Sequence, residues 1–134
     1  MQVKCKTAAM TSAGRHYTVD EARVALAALL PRLDAIVALR ADTAELAAAD
    51  AFGAATALGG TPEFKAAQAR LDELISELQQ ADVQLKGLAP LLLDFPSELD
   101  GVPVLLCWLE GDRELGWYHR LDLGFAGRRP LPAA

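Results

Sequence analysis

Histidine, cysteine and tryptophan each occur only twice in this chain of 134 residues, and that scarcity removes much of the usual chemistry at the outset. Cys5 lies in a polar leader and Cys107 in an apolar run, which does not make a disulfide framework and points to a reduced, cytoplasmic setting. There is no phosphate-cradling glycine loop, no pair of Cys-x-x-Cys knuckles, no His-Glu-x-x-His and no Gly-x-Ser-x-Gly elbow, so the reading leans away from an enzyme. Basic residues are the minority. Thirteen Lys and Arg against eighteen Asp and Glu leave a net charge of −5, which repels a phosphate backbone and speaks against nucleic acid. The longest apolar run, Val24 to Pro31, falls far short of the roughly 20 residues a membrane helix needs. A short Ala-Ala-Met stretch is too weak for a signal peptide, and residues 1–16 read as a mobile leader with Met10 as an alternative initiator.

What is present is globular in composition. Hydrophobic residues make up 52% and charged residues 23%, enough apolar material for one domain over 17–131. The expected class is α+β: a long antiparallel helical hairpin over 17–86, a three-stranded antiparallel sheet over 87–123 and a tail over 124–134. Helix one opens at Thr18-Val19-Asp20-Glu21, the spacing of a capping box. Its apolar stripe is Ala22, Leu26, Leu29, Leu33 and Ile36. Pro31 lacks an amide and crowds the carbonyl of Ala27, yet the stripe keeps phase across it, so a kink is expected rather than a break. Beyond Ile36 the Ala-rich stretch Ala41 to Ala51 offers helix formers but little bulk and is expected to pack thinly or fray. Glycines 53, 59 and 60 supply the reversal, and Thr61-Pro62 restarts helix with Thr61 as cap. Helix two carries Phe64, Ala67, Leu71, Leu74, Leu78, Ala81 and Leu85, the spacing of a coiled-coil seam and equally of an amphipathic core helix.

From Gly87 onward short apolar runs are punctuated by Asp94-Phe95-Pro96, Asp100-Gly101 and Gly111-Asp112. Strands are expected near Leu91–Phe95, Val102–Glu110 and Leu115–Asp122. In the central strand Val102, Val104, Leu106 and Trp108 point one way, while Leu105, Cys107 and Leu109 point the other. Both faces are apolar and need cover.

Four ordered motifs carry a resemblance. Leu92-Leu93-Asp94-Phe95-Pro96, Leu106-Cys107-Trp108-Leu109-Glu110-Gly111, Trp117-Tyr118-His119 and Gly124-Phe125-Ala126-Gly127-Arg128-Arg129-Pro130, with the opening Tyr17-Thr18-Val19-Asp20-Glu21-Ala22, resemble the prokaryotic family catalogued as domain of unknown function 2203. The resemblance brackets residues 17–131 and implies no activity, although some members have carried names suggesting a cell-division role. The Ala-rich stretch between Ala41 and Leu58 departs from the more charged helices of that family.

Candidate chemistry gathers near the end of the chain. With an odd number of loop residues around Gly111, Cys107 and His119 project from one sheet face. Together they are candidate metal ligands, with Asp94, Glu114 or His16 as further donors that no spacing singles out. A small buried Cys and a hydrogen-bonded structural His are the plainer alternative, and no cofactor is required, zinc being the metal left open. Trp108, Trp117, His119, Arg128 and Arg129 are candidate ligand-binding residues: the aromatics for a pocket or plain core, and the guanidinium pair for a small anion or solvated ion pairs. Two functions follow. One is a non-enzymatic interaction protein whose hairpin pairs with itself or with a partner helix. The other is a small-ligand or metal-binding domain centred on Cys107 and His119.

Overall fold

The computed structural model of the chain describes residues 15–132, so the leader, Cys5 and Met10 lie, but for Arg15 and His16, outside the described residues. The class is α+β: two helices, α1 Val19–Asp50 and α2 Thr61–Gln80, precede a five-stranded antiparallel sheet. Its strands are β1 Gln84–Leu88, β2 Leu91–Leu99, β3 Val102–Leu109, β4 Trp117–Arg120 and β5 Arg129–Pro130, in spatial order β1-β2-β3-β4-β5. Two compact units are distinguishable, one taking in the chain up to Ala27 and from Ala81 on, the other Ala28–Gln80.

Local chemistry accounts for the helix starts. The Thr18 amide donates to Glu21 Oε1 at 2.9 Å and the Glu21 amide to Thr18 Oγ1 at 3.0 Å, the reciprocal pair of a capping box. Thr18→Ala should therefore cost about 1 kcal/mol in chemical denaturation, and no loss would contradict the role of this cap. α1 runs unbroken through Pro31 as a single 32-residue helix, so the expected local disturbance at that residue does not end it. The Ala-rich end stays helical to Asp50, with Leu46 buried. At α2 the cap is Gly60 and not Thr61. The Gly60 carbonyl accepts from the Phe64 amide and the Gly60 amide donates to Glu63 Oε1, while the Thr61 hydroxyl is used on Asp50. In the second unit Arg32 Nε meets Glu77 Oε1 at 2.6 Å and Asp50 meets Thr61. These two ties set the helices antiparallel, and Leu29, Leu33, Ile36, Leu71, Leu74 and Leu78 are buried.

The sheet is larger than expected, with five strands in place of three. α2 stops at Gln80 and Asp82 takes a left-handed φ of 59°, a conformation a short polar side chain tolerates. Leu85 therefore falls on β1 and not on helix two. β2 continues past Pro96 to Leu99 because β1 pairs with it only as far as Asp94. Beyond that point one edge of β2 is free of β1, so Pro96 forfeits no ladder bond there, and its carbonyl accepts the Tyr17 amide at 2.7 Å. Asp100 (φ 51°) and Gly101 (φ 79°) make the tight reversal into β3, the backbone that an Asp-Gly hairpin turn requires.

One sheet face is core. Leu91, Leu93, Phe95, Val104 and Leu106 are buried, together with Tyr17, Ala22 and Leu26 from the start of α1. The Tyr17 ring meets Phe95 edge-on at 5.4 Å and 86°, its hydroxyl donates to the Ala81 carbonyl, and burial raises its pKa. Cover for the opposite face comes from the tail. Phe125 and Arg128 follow β4 through a 3-10 turn at Phe125–Gly127, and the Arg128 guanidinium lies 4.5 Å from the Trp117 ring centre.

Candidate metal centre

The second face gathers the chain's scarce donors. Asp94 on β2 stands directly opposite Cys107 on β3, and Cys107 is opposite Trp117 on β4. His119, two residues further along β4, is opposite Leu105 and reaches over the middle strand. Same-face alternation thus brings Cys107 and His119 together as their positions implied. Among the three further donors it adds Asp94, while neither Glu114 nor His16 joins the group. All three are buried, and one donor atom of each lies within 4.8 Å of the others. The centre of a triangle of that edge is about 2.8 Å from its corners, so a sub-ångström closure reaches the roughly 2.0–2.3 Å bonds of zinc to N, O and S.

Hydrogen-bond polarity makes the arrangement unusual. His119 Nδ1 lies 2.9 Å from the Arg120 carbonyl, and a carbonyl only accepts, so Nδ1 carries a proton. In the neutral ring Nε2 is then a bare lone pair, and it faces the Asp94 carboxylate Oδ2 at 3.1 Å. Two acceptors at that separation need a positive charge between them, either a proton or a metal ion. Anchoring the distal ring nitrogen on a backbone carbonyl is also how proteins orient metal-binding histidines. Asp94 Oδ1 is buried with no hydrogen-bond partner, a costly state for a carboxylate that a cation relieves.

Two cations border the cluster. β1 carries a bulge between Leu85 and Gly87, which leaves Lys86 without a partner across the ladder and aims its Nζ at Asp94 Oδ2, 3.2 Å away. Arg128 Nη1 is 4.0 Å from Cys107 Sγ and 3.2 Å from Asp112 Oδ2, and its guanidinium lies over Trp117 and Phe125. Burial, and then the Asp94 charge, push the Cys107 thiol up to about 11 against the opposing pull of Arg128. A thiol so held is a weaker nucleophile than a free one. Bound zinc, by contrast, takes a thiolate outright.

The chain matches, over residues 15–131, the family described as an uncharacterized conserved protein (DUF2203). It belongs to that family. No curated protein and no solved structure matches the chain. For this DUF2203 member the other sequence candidates fall as follows. Trp108 lies on the core face, buried, with its indole N–H on the Asp112 carbonyl at 3.0 Å. Arg129 is exposed on the edge strand β5, opposite Tyr118. Trp117 and Arg128 stay beside the cluster, where the anion that Arg128 holds is the chain's own Asp112. Sequence reasoning missed Lys86, which was assigned to a helix, and Asp112. The sign of Asp94 was its charge inside Leu91-Leu92-Leu93-Asp94-Phe95, a residue type almost never buried without a partner.

Proposed function

We propose that this protein is a metal-binding domain in which Asp94, Cys107 and His119 hold one divalent transition-metal ion of the zinc type. The observation that carries the reading is His119 Nε2 at 3.1 Å from the Asp94 carboxylate, beside a buried sulfur. A mixed N, O and S donor set suits zinc better than magnesium or calcium, which favour oxygen alone. Three protein ligands, one short of a closed tetrahedron, are the count of a site that keeps a position for an exogenous ligand. A reducing cytoplasm suits a thiolate ligand of this kind. Self-association through the hairpin has less support, since Leu29, Leu33, Ile36, Leu71, Leu74 and Leu78, the centre of the stripes that motivate it, are buried within the chain.

Metal analysis of untagged protein, purified without chelator and then supplied with zinc and desalted, tests the proposal. The expected stoichiometry is about one zinc per chain, falling below about one tenth in Cys107→Ser and in His119→Gln, because losing one of three ligands removes most of the affinity. A value near zero for the unaltered chain would end it.

A further inference from the structure

A cavity of about 350 Å³ opens beside the cluster, with Asp94 and His119 in its lining. Its remaining walls are mostly apolar: Leu92 and Leu105 from the sheet, and Leu121, Leu123 and Phe125 from the segment after β4. The last three are large hydrophobic side chains left 60%, 42% and 42% exposed, an apolar rim around a polar floor. Lys86 stands at the wall with its ammonium on Asp94. The volume is at the small end of ligand pockets, and the mixture of apolar wall and few polar groups is their usual make-up.

Charge narrows the ligand. With a divalent ion held by the Asp94 carboxylate and the Cys107 thiolate, the centre is neutral. Asp122 in the cavity wall already holds the Arg120 guanidinium at 2.8 Å, and Arg128 is matched by Asp112. Lys86 is then the unbalanced charge, because the carboxylate it pairs with is shared with the metal. With the ion bound, a cavity lined by Asp94 and His119, with one net positive charge and leucine walls, would select a monoanion over a phosphate dianion, and an apolar body over a sugar or a peptide backbone.

We infer that the cavity binds a small monocarboxylate with a compact apolar body, its carboxylate between Lys86 and the metal and its body among Leu121, Leu123 and Phe125. The inference rests on the metal reading and supplies the ligand class for the same site. Lys86 is a binding residue in it, and the exposure of Leu121 is the unfilled apolar wall.

Cobalt(II) is the probe that separates the two readings, since it occupies zinc sites and its visible bands report both thiolate ligation and any change at the remaining position. The full-length chain is loaded with cobalt and titrated with benzoate, acetate, benzyl alcohol and benzylamine. Expected are cobalt bands on loading, a further shift with benzoate at least tenfold tighter than with acetate, and no shift with the alcohol or the amine. Lys86→Ala and Leu121→Asp should each weaken benzoate at least tenfold while cobalt loading persists. Bands on loading without a response to benzoate, or acetate binding as well as benzoate, would overturn the ligand inference and leave the metal reading standing. Absence of cobalt uptake would overturn both.

Discussion

Zinc at a thousandfold excess over its dissociation constant should raise the unfolding free energy by about 4 kcal/mol, because an ion that binds the folded chain alone shifts the equilibrium by mass action. For a chain of this length the midpoint of thermal unfolding would rise on the order of 15 °C. The donors explain why folding is required. Asp94, Cys107 and His119 lie on three different strands and meet only when β2, β3 and β4 are in register. The unfolded chain has only two cysteines and two histidines to compete with them. Cys107→Ser and His119→Gln should reduce the zinc response below about 1 kcal/mol, whereas Arg129→Ala, exposed on β5 and not one of the three donors, should retain it. Calorimetry in a non-chelating buffer with a phosphine reductant reads all four proteins. An equal zinc response in the Cys107 and His119 variants would mean that the ion binds elsewhere.

Phe95→Ala should cost about 3–5 kcal/mol, the range for emptying a fully enclosed aromatic site. Phe95 has no exposure and is the largest of the fully buried side chains. It stands opposite Leu106 and takes the Tyr17 ring edge-on, a pairing that adds about 0.5–1.5 kcal/mol beyond area burial. Next to it, the Pro96 carbonyl takes the Tyr17 amide, so the void left by the substitution lies where the start of α1 is tied to the sheet. Phe52 is the comparison: it is 88% exposed, and Phe52→Ala should stay within about 0.5 kcal/mol of the parent. Urea unfolding of both variants decides, and a loss below about 1 kcal/mol for Phe95→Ala would remove that residue from the centre of the core.

The legibility of the fold in the sequence followed the range of the interactions involved. The Thr18–Glu21 box and the stripe from Ala22 to Ile36 depend on residues three and four apart, and both appear as read. The Asp100-Gly101 turn was equally local. β1 was hidden because Leu85 extends the 3-4 spacing of α2, and the residue that turns the chain, Asp82, carries no glycine signal. The end of β2 was hidden because Pro96 disrupts a strand only where a neighbour needs its amide, and which edge of β2 is free depends on the length of another strand. β5 spans two residues, too few for any periodicity. At the site, the sequence left Cys107 and His119 on one face only on the condition of an odd loop, and the register of β3 against β4 meets it. Asp94 needed the register of β2 against β3, and Lys86 needed the bulge, neither of which a single sequence prints.

The sheet is a pure meander, each strand hydrogen-bonded to the one that follows it in the chain. All three donors therefore fall within one uninterrupted stretch from Asp94 to His119, with no ligand borrowed from a remote part of the polypeptide. The three side chains stay together only while the turn at Asp100-Gly101 and the loop over residues 110–116 hold the present register, since turn length sets which residues pair and which share a face.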